Sequence, residues 1–299
     1  WHLANIAVLI LNVWMIYVIA GHLLARALRR VPGAQATRYA WISAALVAAL
    51  FAAHPVQTQA VTYVVQRLEL MGTLWVLCAF YAAVRALESP QRAAQRGWAA
   101  CAAAALMLGA LSKEIIAAAP LLIAAYLLIL HVRTWRARLL TVVWCGIIGL
   151  VLALSALVFF HALSFTPWPR LTFAPFVTLW QGFTPATYYP LQTRVLLLLL
   201  RLCFIPYGLR AEYELQAGAG WSDPRVLAAL AVHFALLAGA VCLWRRRPLA
   251  LFGLVWFYAF LLPSSLMPNG VFEHRVYGAL AGILIGVAGL LCEELLRQP

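Results

Sequence analysis

Charge is what this chain has least of. Only 10% of its 299 residues are charged, while 65% are hydrophobic and the mean hydropathy is +0.90. A soluble domain of that length is nearer half apolar, so the shortage excludes an ordinary globular fold and predicts an all-α, polytopic transmembrane helical bundle. Cysteine pairing is missing too: Cys78, Cys101, Cys145, Cys203, Cys242 and Cys292 stand singly in or beside apolar runs, with no CxxC. That spacing argues against a structural zinc and against a disulfide framework. Nothing resembles a phosphate-binding glycine loop, a serine nucleophile elbow or a metal-binding histidine pair. No residue pattern indicates a cofactor, and a divalent metal stays open.

Acids are the scarcer charge, nine against 22 Lys and Arg, giving a formal net charge of +13. The basic residues sit in short clusters between apolar runs rather than on one soluble face, which excludes nucleic acid and fits membrane topology. A helix needs about 20 apolar residues to cross a roughly 30 Å hydrocarbon core. Residues 1–299 read as a single polytopic domain with spans at 6–25, 39–53, 71–87, 99–111, 115–131, 139–161, 226–243, 249–266 and 277–291. The chain opens on Trp1 with no cleavable signal, so it reads as an internal fragment.

Arginines collect at alternate span ends: Arg26, Arg29 and Arg30; Arg85, Arg92 and Arg96; Arg133, Arg136 and Arg138; Arg245 to Arg247. By the positive-inside rule these ends are cytoplasmic. Residues 54–70, Lys113-Glu114, 162–225 and 268–276 then face outward, into the periplasm if the membrane is a bacterial inner membrane. The apolar run 195–205, bracketed by Pro190 and Pro206, would break this alternation if it crossed alone. We expect an interfacial or re-entrant helix there; the alternative is that 171–183 crosses as well. The outer face receives Glu69, Glu114, Glu212, Glu214, Asp223 and Glu273, and also Arg67, Lys113, Arg170, Arg194, Arg201, Arg210, Arg225 and Arg275. Positive charge on the face that usually excludes it predicts an anionic partner there.

Three outer stretches could carry chemistry. From Gln59, the polar residues Gln59, Thr62, Gln66, Glu69 and Thr73 recur every three or four positions and predict one helix with a polar stripe. Glu69 is the carboxylate best placed as base or orienter; an ion pair to Arg67 or Lys113 is the plainer reading. Lys113-Glu114 sits between two apolar runs, as a tight hairpin with snorkelling ends or as a binding pair. Glu273-His274-Arg275, followed by Tyr277, places a guanidinium where a lipid phosphate would lie, though interfacial Arg and Tyr belts are common. His54 before Pro55 could be base, ligand or helix-start residue.

Five motifs occur in order: residues 54–67 (HPVQTQAVTYVVQR), Leu111-Ser-Lys-Glu114, Pro206-Tyr-Gly-Leu-Arg-Ala-Glu-Tyr213, Asp223-Pro-Arg-Val226 and Phe272-Glu-His-Arg-Val-Tyr277. Together they resemble the membrane domain of the transmembrane and tetratricopeptide-repeat (TMTC-like) proteins, which are similar to GT-C-fold glycosyltransferases. The resemblance implies transfer of a sugar from a polyprenyl-phosphate carrier in the membrane lipid to a hydroxyl of a polypeptide or glycan acceptor. It implies catalytic roles for Glu69, Glu114 and His54. Substrate binding would fall to Gln57, Arg67, Lys113, Arg201, Glu273, His274, Arg275 and Tyr277. The family's acidic catalytic motif in the first outer loop would lie before Trp1. Its repeats, a route to protein complexes, would follow Pro299. Two other readings stay open: a ligase or polymerase using undecaprenyl-diphosphate oligosaccharide, and a non-catalytic membrane anchor. A transporter is disfavoured, because no charged residue falls mid-span and no internal repeat is visible.

Overall fold

Lipid offers no hydrogen bonds, so an apolar chain satisfies its backbone inside helices. A computed structural model of the protein describes residues 2–28, 35–131, 134, 184–215, 218, 220–266 and 270–295. The predicted span 139–161, the weak segment 171–183, and Arg29, Arg30, Arg133, Arg136, Arg138 and Arg170 lie outside the described residues. Among the described residues the chain is all-helical, apart from turns and one isolated β-bridge between Tyr213 and Val271.

In chain order the helices are α1 (His2–Leu28), α2 (Gln35–Ala53), α3 (Gln57–Thr62), α4 (Arg67–Glu88), α5 (Arg92–Ala110), α6 (Ala118–Ala125), α7 (Pro185–Phe204), α8 (Pro224–Leu243), α9 (Pro248–Ser265) and α10 (Val276–Leu295). Single 3-10 turns precede α4, α6, α8 and α10, and α6 runs on into a π-helical turn at Tyr126–His131. Among the described residues, seven stretches are long and apolar enough to cross a membrane: His2–Leu28, Gln35–Ala53, Val64–Glu88, Glu114–His131, Pro224–Leu243, Pro248–Ser265 and Glu273–Cys292. They mark the chain as an integral membrane protein, and each coincides with one of the predicted spans, 249–266 overrunning Ser265 by one residue. The predicted span 99–111 falls in α5, which is helical but opens on Arg92, Gln95 and Arg96, leaving a shorter apolar run.

Two boundaries differ from the sequence reading. The expected single helix through Gln59 and Thr73 is broken: α3 stops at Thr62, Tyr63 is extended (φ −81°, ψ 122°), and a 3-10 turn leads into α4. The ends of the expected stripe turn inward rather than toward water. Of the stripe, Gln59, Glu69 and Thr73 are buried with neighbouring Gln57, Gln66 is half-buried and Thr62 stays exposed, while Tyr63, Val64, Val65 and Leu68 are exposed. An apolar exterior over a polar interior is the arrangement lipid demands. Pro190 does not bracket the helix around 195–205 but lies inside α7, which begins at Pro185 behind a Thr184 capping box. Pro185, at the first helical position, removes only a donor that has no partner there, whereas Pro190 removes the one that would meet Ala186 O.

The bundle has two distinct ends. At one, Glu88 receives Tyr126 Oη at 2.5 Å, His22 Nε2 at 2.6 Å and Arg26. Trp244 Nε1 donates to Ile129 O at 3.3 Å beside it, and Arg247 pairs with Glu294. Glu69 lies about 28 Å away along α4, given a rise of about 1.5 Å per residue. Between the ends, Phe80, Phe252 and Trp256 pack with ring centroids 5.4–5.9 Å apart. Helices α9 and α10 approach backbone to backbone: a Cβ on Gly253 would stand 2.3 Å from Gly282 O. Small residues at such a crossing let membrane helices gain dispersion contacts that lipid cannot replace.

Candidate functional site

The site end is built around one turn, Glu273–Arg275, in which Glu273 is taken up by the 206–213 segment while His274 and Arg275 both line a cavity. Glu273 accepts hydrogen bonds from Arg210 N and, at 2.9 Å, from Tyr213 Oη. Tyr213 N donates to Val271 O at 2.9 Å, so the 206–213 segment is fastened to the start of α10. Burial, then the Glu273 carboxylate, pushes the Tyr213 hydroxyl up to about 12, which keeps it a donor. His274 N donates to Gln59 Oε1 at 3.0 Å, and Gln59 Nε2 donates to Ala211 O at 2.8 Å. One glutamine of α3 thus ties together the turn and the 206–213 segment. The His274 ring stacks on Phe272 at 5.2 Å, with Nδ1 buried and unpartnered.

Arg275 points elsewhere. It is 5% exposed, and neither Nη1 nor Nη2 has a hydrogen-bond partner. It lines a cavity of about 370 Å³ together with Glu69, Lys113, Glu114 and His274. Buried Ile115 and Phe260 form apolar wall, while Val65, Leu68 and Glu114 combine lining with exposure and make the rim. Lys113 Nζ donates to Glu69 Oε2 at 2.5 Å; Glu69 is 2% exposed and its Oε1 has no partner. Lys113 is the single lysine of the sequence. Its backbone is extended, so neighbouring side chains diverge: Lys113 turns in to Glu69 and Glu114 stays exposed. The approach depends on Gly72, one turn beyond Glu69. A Cβ there would stand 2.6 Å from Ile115 Cγ2 and 3.2 Å from Lys113 Cβ.

The remaining sequence candidates support this end without lining the cavity. The two ring nitrogens of His54 are both engaged: Nε2 donates to Cys203 O at 3.3 Å, and Nδ1 accepts from Val56 N at 3.3 Å. Arg67 Nε donates to Asn5 Oδ1 at 3.1 Å, and Arg201 Nη2 donates to Tyr207 O at 3.0 Å. Gln57 is buried with both amide atoms unpartnered. Tyr277 Oη accepts from Asn12 Nδ2 at 3.1 Å.

Asn5 and Asn12 are the residues sequence reading missed. Asn12 Nδ2 also donates to Leu70 O at 3.0 Å, and Asn5 Nδ2 donates to Val61 O and Tyr63 O at 3.0 and 3.2 Å. Together they pin α1 to the broken segment and hold Leu70, beside Glu69, near Tyr277, two residues past Arg275. Their signal was available: two amides seven residues apart in a 27-residue apolar helix lie on one face, and polar groups within a span rarely lack a task.

Among the described residues, no group of three or more His, Cys, Asp and Glu could hold a metal ion. A scan of protein-family models finds no match, and comparisons with curated proteins and with solved structures find none either.

Two outcomes follow from this geometry. Gly72→Leu is expected to drive the Lys113 turn off Glu69 and destabilise the protein by about 1–3 kcal/mol. Amine reagents, which report Lys113 alone among side chains, should then modify it several-fold faster; unchanged reactivity would show that Gly72 does not set the approach. The second concerns His54. Burial, opposed by the Cys203 hydrogen bond, holds its pKa below the ordinary 6.5. The folded chain therefore resists a proton that the unfolded chain accepts, so stability is intact above about pH 6.5 and falls as pH drops toward the folded-state value. His54→Gln should lose less stability than the wild type between pH 7 and pH 5 in thermal unfolding in detergent.

Proposed function

We propose that the protein is a membrane glycosyltransferase that takes a sugar from a polyprenyl-phosphate carrier and places it on a hydroxyl of a protein or glycan acceptor. The observation that carries this reading is Arg275, a buried guanidinium on the wall of a cavity whose two terminal nitrogens have no hydrogen-bond partner. Two parallel N–H donors match the geometry of a phosphate oxygen pair, and a buried cation whose terminal nitrogens make no ion pair or hydrogen bond among the described residues is poised for an anion. Lys113 stands on the same cavity as a second cation. Exposed Val65 and Leu68 at the rim allow an apolar chain to remain in lipid while its phosphate reaches Arg275.

The carboxylates supply the other half of the chemistry. Sugar transfer to a hydroxyl needs a proton acceptor beside the nucleophile and a cationic clamp on the departing phosphate. Glu69 and Glu114 stand on the same cavity as the clamp. His54, Gln59, Glu273 and Tyr213 hold the surrounding loops. The five motifs that resemble the TMTC-like family support the same reading, as does the general likeness of that family to GT-C enzymes.

The membrane orientation belongs to this proposal. Arg26, Arg85 and Arg245 to Arg247 gather toward the end opposite the cavity, which by the positive-inside rule is cytoplasmic. The cavity would then face the periplasm of a bacterial inner membrane. Both ends of α7 meet the cavity end: Cys203 O reaches His54, and Ala186 O lies 3.6 Å from a Cβ placed on Gly220, just ahead of α8. That geometry supports α7 as an interfacial or re-entrant helix.

The test is transfer by the full-length protein in lipid vesicles, with polyprenyl-phosphate sugar and a hydroxyl acceptor. Arg275→Gln should lower turnover by roughly 10²–10³-fold, the scale of removing one preorganised electrostatic contact. Glu69→Gln should lower it comparably while the protein still inserts. Full activity in both variants would sink the assignment.

A further inference from the structure

This inference rests on the transferase reading and concerns the ion pair between Lys113 and Glu69. At the cavity Glu69 gives one oxygen to Lys113 at 2.5 Å and keeps the other unpartnered, while Arg275 keeps two nitrogens unpartnered. A carboxylate bound to an ammonium is a weakened proton acceptor, because taking a proton means giving up the ion pair. This arrangement holds an anion clamp ready and a carboxylate locked.

Charge balance shows what could unlock it. A carrier joined to a sugar through phosphate is a diester with one negative charge, which Arg275 alone can match. Once the sugar departs, the phosphate is a monoester, and near neutral pH it carries roughly −1.5 to −2. Beside Glu69 and Glu114, that extra charge calls for a second cation. Lys113 is on the same cavity, its side chain is 21% exposed, and its flexible stem lets the ammonium swing while the backbone stays fixed. Arg275 lacks that freedom in its buried turn.

We propose that Lys113 is a phosphate-operated latch on Glu69: charge growing on the carrier phosphate draws the ammonium away, and the carboxylate it releases accepts the proton of the attacking hydroxyl. The acceptor oxygen bonds to the anomeric carbon as the bond from that carbon to the phosphate oxygen breaks. The electron pair of the broken bond stays on the phosphate, and the hydroxyl proton moves to Glu69. Breaking the sugar–phosphate bond and arming the base become one event, so an acceptor hydroxyl entering without carrier meets a carboxylate still engaged with Lys113.

The test needs no turnover. The full-length protein in lipid nanodiscs is treated with an amine reagent, which maps Lys113, and in parallel with a carbodiimide, which maps Glu69 in its protonated form. Both are read by mass spectrometry with polyprenyl phosphate, with polyprenol, or with inorganic phosphate. The latch predicts that polyprenyl phosphate slows Lys113 modification and speeds Glu69 modification, each by roughly tenfold, whereas polyprenol does neither. The same paired changes with inorganic phosphate would also support it and would place the trigger in the phosphate rather than the chain. In Lys113→Met, Glu69 should react fast with or without phosphate. Protection of Lys113 with Glu69 unchanged or slowed would overturn the latch and leave the phosphate site standing. No change at either residue would overturn both the latch and the transferase reading. Paired changes with polyprenol would overturn the role of the phosphate.

Discussion

Everything at the cavity end is arranged around a buried positive charge. Removing a guanidinium from water costs several kcal/mol even after relaxation, and the loss is recovered only if the charge finds partners. Arg275 has neither terminal nitrogen satisfied, although the surrounding turn is densely tied. Glu273 spends its carboxylate on Arg210 and Tyr213, and Gln59 spends its amide on His274 and Ala211. These bonds fix the backbone that presents Arg275 while leaving the guanidinium itself unpartnered. A purely structural arginine would be expected to sit with the carboxylate two residues away; here that carboxylate is engaged by the neighbouring loop.

The polar residues at this end obey membrane logic rather than that of a soluble surface. Water is the default partner for polar groups in a soluble protein, so amphipathic helices turn those groups outward. Lipid reverses the direction. Gln57, Gln59 and Glu69 turn inward, and Tyr63, Val65 and Leu68 turn out. The consequence for chemistry is an enclosed polar chamber whose rim is apolar, with charge concentrated where the dielectric is low and electrostatic contacts are strongest.

Much of the bundle could be read from the sequence, because about 20 consecutive apolar residues admit few structures other than a spanning helix. The convergence of Glu69, Lys113, Glu114, His274 and Arg275 was also legible, through arginine asymmetry that sorted loops to one side. The break at Tyr63 was not: no glycine or proline marks it, and the 3.6-residue period continues across it. What bends the chain there is long-range, the Asn5 amide gripping the Val61 and Tyr63 carbonyls. Glu69's partner was left open between Arg67 and Lys113, since both lie within reach on paper. Gly72 decides for Lys113 by admitting its turn, and Arg67 is drawn toward Asn5. His54, read as a possible base, has its ring nitrogens committed to Val56 and Cys203, partners 2 and 149 residues away.

The central claim is that an unpartnered buried arginine in a lipid-flanked cavity is a site for the phosphate of a lipid carrier. The most direct measurement is native mass spectrometry of the detergent-solubilised protein, comparing polyprenyl phosphate with polyprenol of the same chain length. Retention of the phosphate lipid by the wild type, its loss in Arg275→Gln, and weak retention of polyprenol by both are the predicted results. Equal retention of the two lipids, or phosphate-lipid binding undiminished in Arg275→Gln, would contradict the account.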